Sequence, residues 1–142
     1  MAAWKHFTME ELIRSDVAKK LKINNIPNES VLENLDTLVV NVLDPLREWL
    51  GCPLKVSSGY RCEELNRLVG GVKNSQHMSG EAADIQPIGM KWKVFIEKVK
   101  EWAENNDFDQ LILERSGVAR WVHISYSRKR NRRASFKIIR RT

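Results

Sequence analysis

The apolar positions of this chain follow two different periods. Over residues 29–50 they recur every three or four residues, at Val31, Leu35, Leu38, Val39, Val42, Leu46, Trp49 and Leu50, which predicts an amphipathic helix. Pro45 falls inside that run. It has no N–H to donate and its ring crowds the preceding turn, so the helix should kink or break near Asp44. Gly51 then serves as the helix stop. A second helix is predicted over residues 91–105, with Trp92, Phe95, Ile96, Val99 and Trp102 along one face. Shorter helices are expected after the capping box Thr8-Met9-Glu10-Glu11, through about Ile13, and after Ser15 or Asp16. Another covers residues 62–69 and is stopped by Gly70-Gly71.

The remaining apolar runs are short, and several alternate. Residues 54–57, 82–85, 110–114, 121–125 and 135–139 read as strands. Ser116-Gly117 lies between the third and fourth of these and predicts a hairpin. Helices come first and strands cluster later. That order favours an α+β domain with a mostly antiparallel sheet packed by helices. No linker, repeat or low-complexity segment divides the chain, so residues 1–142 are expected to form one domain, with a basic segment at 128–142.

Composition is that of a globular protein, 42% hydrophobic and 30% charged, with no apolar run long enough to span a membrane. The first residues lack the basic-then-apolar pattern of a signal peptide, so synthesis in the cytoplasm is expected. The net charge of +6 is concentrated in Arg128, Lys129, Arg130, Arg132, Arg133, Lys137, Arg140 and Arg141. Such a run suits an anionic polymer or a solvated terminal strand. No nucleic-acid-binding module accompanies it, so no nucleic-acid partner is expected. Cys52 and Cys62 form no C-x-x-C pair. Free thiols are expected, with a disulfide as the alternative.

The candidate chemistry lies in Ser75-Gln76-His77-Met78-Ser79-Gly80-Glu81-Ala82-Ala83-Asp84 and in Trp121-Val122-His123. His77, Asp84 and His123 together offer two imidazole nitrogens and one carboxylate oxygen. Three such ligands with a fourth position open make the pattern of a catalytic Zn²⁺ site. An ion held in that way activates water and polarises a carbonyl, which points to amide hydrolysis. Gly80 lets the loop turn back, and small Ala82 and Ala83 allow close packing before Asp84. His123 alternates with Val122 and Ile124 and so faces away from them.

Ser-x-His-x-x-Gly-x-Ala-x-Asp followed by Trp-x-His resembles the zinc peptidases of D-amino-acid-containing cell-wall peptides. These include D-Ala-D-Ala carboxypeptidases, vancomycin-resistance dipeptidases and phage L-alanyl-D-glutamate endolysins, with the hedgehog signalling domain as a non-enzymatic relative. Ser58-Gly59-Tyr60-Arg61, Leu65-Asn66, Val69-Gly70-Gly71, Asn34-Leu35, Pro45-Leu46-Arg47 and Asp109-Gln110-Leu111-Ile112 extend the match to the carboxypeptidase-like branch. The resemblance implies the hedgehog/DD-peptidase fold, with the zinc site on one face of the sheet. It also implies the ligands His77, Asp84 and His123. Arg61 would hold a substrate carboxylate or the developing oxyanion, Ser75 would bond substrate backbone or cap its own turn, and Trp121 would wall the cleft or pack. Gln76 and Tyr126 are further candidates for its lining.

The chain departs from the pattern at the general base. Several relatives carry Glu-x-x-His, but Arg120 stands at that position and accepts no proton. Glu114 is the expected replacement, provided that the hairpin sets Glu114 opposite Trp121 and Ile112 opposite His123. A slip of one residue would put Glu114 on the wrong face. Glu81 is the second candidate, with a solvent-facing loop residue as its simpler reading. The expected function is hydrolysis of peptidoglycan stem peptides by a monomer, either as a phage or prophage lysin released to the wall or as a bacterial wall enzyme. The alternative is an inactive zinc-binding domain of the same fold that binds cell wall or a protein partner.

Overall fold

A computed structural model describes residues 4–129, 131, 132 and 134–141, the last span as backbone only. The basic residues Arg130 and Arg133, and the side chains of Lys137, Arg140 and Arg141, lie outside the described residues. The helices are α1 (Met9–Ile13), α2 (Asp16–Lys20), α3 (Glu29–Leu38), α4 (Asp44–Leu50), α5 (Glu63–Leu68) and α6 (Trp92–Glu104). The strands are β1 (Leu54–Ser58), β2 (Ala82–Pro87), β3 (Gln110–Ser116), β4 (Ala119–Ser125) and β5 (Ala134–Arg141). No helix among the described residues is long and apolar enough to cross a membrane.

Local chemistry accounts for the helix starts. Thr8 and Glu11 close the predicted capping box at α1, and Ser15 caps α2 by accepting from the Ala18 N–H. Asn28 does the same for α3 through the Val31 N–H. The apolar run of residues 29–50 is divided at its proline. α3 ends at Leu38, and Val39–Leu43 form a π-helical turn in which the Asp44 N–H reaches the Val39 carbonyl. Pro45 then stands in the first turn of α4, where its missing N–H costs little. A local widening thus accommodates the proline. Gly51 closes α4 in the left-handed conformation.

The strands form one sheet in the order β1-β2-β4-β3-β5. The first four pair antiparallel, and β5 adds to β3 in parallel. One face of the sheet carries Ala83, Ile85, Leu111, Val122 and Ile124, all fully buried. Against it pack the apolar stripes of the two long helical segments, Leu35, Leu38 and Leu46 from one, Phe95, Val99 and Trp102 from the other. With its helix-facing side committed to the core, the sheet has its opposite side for polar groups. Cys52 and Cys62 are free thiols.

The join between α1 and the end of β1 is tight. The Tyr60 N–H donates to the Leu12 carbonyl at 2.7 Å, and a Cβ on Gly59 would sit 2.1 Å from that oxygen. Backbone cannot yield as a side chain does, so only glycine fits. Gly59→Ala is expected to lower stability by at least about 1–3 kcal/mol, read from urea unfolding. An unchanged midpoint would mean that α1 does not press on this turn.

Candidate metal centre

Strand register brings two of the predicted ligands together. In the β2–β4 pairing Asp84 stands directly opposite His123. Their neighbours Ala83, Ile85, Val122 and Ile124 point into the core, so alternation sends the carboxylate and the imidazole to the other face. β1 flanks the pair, with Ser58 opposite Asp84.

His77 arrives from the loop before β2. Successive turns fold that loop, with Met78 N–H bonded to the Ser75 carbonyl and Glu81 N–H to the Gln76 carbonyl. Gly80 has φ +77°, and a Cβ there would lie 2.8 Å from both Cγ1 and the carbonyl oxygen of Val31. The loop therefore lies directly against α3, and Asn34 on that helix donates to the Ser79 carbonyl at 2.8 Å. His77 itself is 2% exposed. Its Nδ1 lies 2.7 Å from the Gly59 carbonyl, which can only accept, so Nδ1 carries the proton. Nε2 then carries a lone pair free to bind a cation, and it faces the strand pair. An outer hydrogen bond of this kind is how proteins orient a metal-binding imidazole.

His77 Nε2 lies 3.2 Å and His123 Nδ1 3.1 Å from the same oxygen of Asp84. The three ligand atoms fall within 4.8 Å of one another. Among the described residues this is the one such cluster. A neutral His77 presents a lone pair to a carboxylate lone pair, and only a proton or a metal cation between them relieves that contact. Ligands about 2.0–2.2 Å from a tetrahedral ion stand roughly 3.3 Å apart, and the two contacts to Asp84 match that spacing. Burial pushes the Asp84 carboxyl up. With a second proton on His77 in place of a cation, its charge and the hydrogen bonds from both imidazoles outweigh burial and hold the carboxyl well below the usual carboxylate range. The donor set fits a divalent metal.

The β3–β4 register is Glu114 opposite Trp121 and Ile112 opposite His123, the alignment that Glu114 requires. Glu114 is 6% exposed, and its Oε1 lies 3.9 Å from His123 Nδ1. Arg120 has the opposite parity to His123 on β4. It leans over the ring of Trp92 on α6 at 5.1 Å. On this regular strand, residue 120 is turned away from the candidate ligands, and the carboxylate nearest His123 Nδ1 after Asp84 is that of Glu114 on the neighbouring strand. Glu81, the second candidate, accepts from the Ser79 hydroxyl at 2.5 Å and lines the same cleft.

These groups line a cleft of about 1550 Å³ that also holds Arg61, Ser75 and Trp121. The Arg61 N–H donates to the His77 carbonyl at 3.0 Å. The Ser75 oxygen accepts from the His77 N–H at 3.1 Å, so Ser75 caps its turn within the cleft wall. Trp121 is half-buried there. The basic segment was open to two readings, polyanion binder or solvated strand, and part of it is neither. Arg132 donates to both oxygens of Asp109, at 2.8 and 2.9 Å, and Asp109 also accepts from Gln76 at 2.8 Å. Arg128 reaches Asn34 and Glu33 on α3. Asp109 was missed as a site residue, because an acid at the head of an apolar strand gives no sign of its partner 23 residues later.

The family model described as Peptidase M15 matches residues 5–125 of the chain. No curated protein matches it.

Hydrogen bonds from the Arg132 guanidinium hold the buried Asp109 carboxyl down at about 2. A depressed carboxylate stabilises the fold above its unfolded pKa, near 4, and loses that contribution as pH falls toward 2. Wild type should therefore exceed Asp109→Asn in melting temperature at pH 6, and the gap should narrow by pH 3. A gap independent of pH would mean that the ion pair contributes nothing.

Proposed function

The chain belongs to the M15 peptidase family, whose members are metallopeptidases, and from that premise we propose that it hydrolyses peptidoglycan stem peptides with Zn²⁺ as its metal. The reading extends to a D-Ala-D-Ala carboxypeptidase or L-Ala-D-Glu endopeptidase acting in phage, prophage or bacterial wall degradation. What carries it is the convergence of Asp84, His123 and His77 on one sheet face, with the Glu114 carboxylate 3.9 Å from His123.

His77 Nε2, the Asp84 carboxylate and His123 Nδ1 would hold the ion. When bound, Zn²⁺ supplies a polarising charge for the scissile carbonyl and a water whose pKa falls to about 7 in good sites. Glu114 is the proton carrier. Its carboxylate takes the proton as the water oxygen bonds to the carbonyl carbon, and delivers it to the nitrogen as the C–N bond breaks. Arg61 steadies a substrate carboxylate or the oxyanion. The Ser75 oxygen is held by the His77 N–H, which leaves its own hydroxyl proton for a substrate carbonyl. Trp121 walls the cleft and limits water around the reacting bond.

Purified protein should bind about one zinc per chain and trim stem peptides, with the new ends read by mass spectrometry. Glu114→Gln should keep the zinc and lose about 10²–10⁴-fold in kcat. His77→Ala should lose both. Full activity of a folded His77→Ala protein would sink the metallopeptidase reading. Equal turnover by Glu114→Gln at equal zinc content would remove Glu114 as the base.

A further inference from the structure

We propose that Lys129 is a specificity residue of this cleft, pairing its ammonium with a non-terminal carboxylate of the bound peptide. The inference rests on the peptidase reading above. The cleft, at about 1550 Å³, exceeds the roughly 300–1000 Å³ typical of small-ligand sites, so a peptide of several residues fits beside the scissile bond. Further polar groups of that peptide must then meet partners on the cleft wall.

A charge account of the wall singles out one residue. Among the acids, Asp84 serves the metal, Glu114 stands beside His123, Asp109 is taken by Arg132, and Glu81 accepts from Ser79. Among the cations, Arg132 is committed to Asp109 and Arg128 to Glu33. Arg61 has its role at the reacting end. Lys129 lines the cleft between the two committed arginines, is exposed, and meets no carboxylate among the described residues.

The backbone that carries Lys129 is set in advance. Its N–H donates to the Ser127 hydroxyl at 3.2 Å, and the Ser127 N–H donates to the Asn131 side chain at 2.9 Å. Arg128 ties one end to α3 and Arg132 ties the other to the head of β3. These contacts reduce the backbone freedom to be lost when an anion binds, which favours selective pairing over a general surface attraction. In a stem peptide that contains lysine as its diamino acid, the non-terminal carboxylate is the α-carboxylate of γ-linked D-glutamate.

The test uses binding, so it does not depend on turnover. Zinc-loaded Glu114→Gln protein is titrated calorimetrically with L-Ala-γ-D-Glu-L-Lys-D-Ala-D-Ala and with the same peptide carrying a carboxamide at the D-glutamate α-position. The carboxylate peptide should bind about 3- to 10-fold more tightly. Adding Lys129→Gln should erase that preference, and Lys129→Arg should restore it. Equal affinity for the two peptides, an unaltered preference in Lys129→Gln, or no binding of either peptide overturns the proposal. Wild-type protein that binds with this preference yet cuts neither peptide would overturn the peptidase reading alone.

Discussion

One oxygen of Asp84 lies between two imidazole nitrogens, at 3.2 and 3.1 Å, and the rest of the molecule is arranged to make that placement possible. Left without a cation or a second proton, the His77 contact sets lone pair against lone pair at the wall of the cleft. Three parts of the chain must be held to sustain it. β2 and β4 must keep their register, the loop of residues 75–81 must stay folded against α3, and the end of β1 must present the Gly59 carbonyl to His77. The core beneath the sheet supports the first, Gly80 and Asn34 the second, and the close approach of α1 the third. The site is thus a global property of the fold, although its three candidate ligands come from two short motifs.

Much of this is legible in the sequence. Helical periodicity located both long helices, and alternation around His123 established which face it uses. The placement of Glu114 was legible only as a condition, since Ser116-Gly117 locates the hairpin and leaves open the register that sets Glu114 opposite Trp121. The form of the break at Pro45 was less accessible. A missing N–H says that the ladder must be interrupted, but whether the chain kinks or widens into a π turn depends on the packing of Val39, Val42 and Leu43, all fully buried. The parallel addition of β5 was equally hidden, because alternation identifies a strand and says nothing about its direction.

The basic segment marks the boundary of sequence reasoning most clearly. A run of positive charge reads as one feature, yet its members do different things. Arg132 neutralises a buried carboxylate, Arg128 ties to α3, and Lys129 lies between them beside the cleft. Nothing in spacing separates these roles, because the partners Asp109 and Glu33 lie far away in the chain. Arg120 gives the complementary case. Its mismatch to the Glu-x-x-His pattern looked like a lost base. Strand parity shows instead that residue 120 is turned toward α6, and that the carboxylate beside His123 comes from β3.

The parallel pairing of β5 with β3 also bears on how a peptide could be read. Many proteins that grip extended peptides let the guest join a sheet edge and pair through its backbone, which holds almost any sequence. Here the outer side of β3 is occupied by β5, and its inner side by β4. The strand that carries Glu114 therefore has no open row of N–H and C=O groups to offer. An extended guest lying over Glu114 would meet the face of the sheet there, through side chains and loop backbone. Recognition of that kind depends on the chemical identity of the guest more than on its shape as a strand, and it favours a narrow choice of peptides over a broad one.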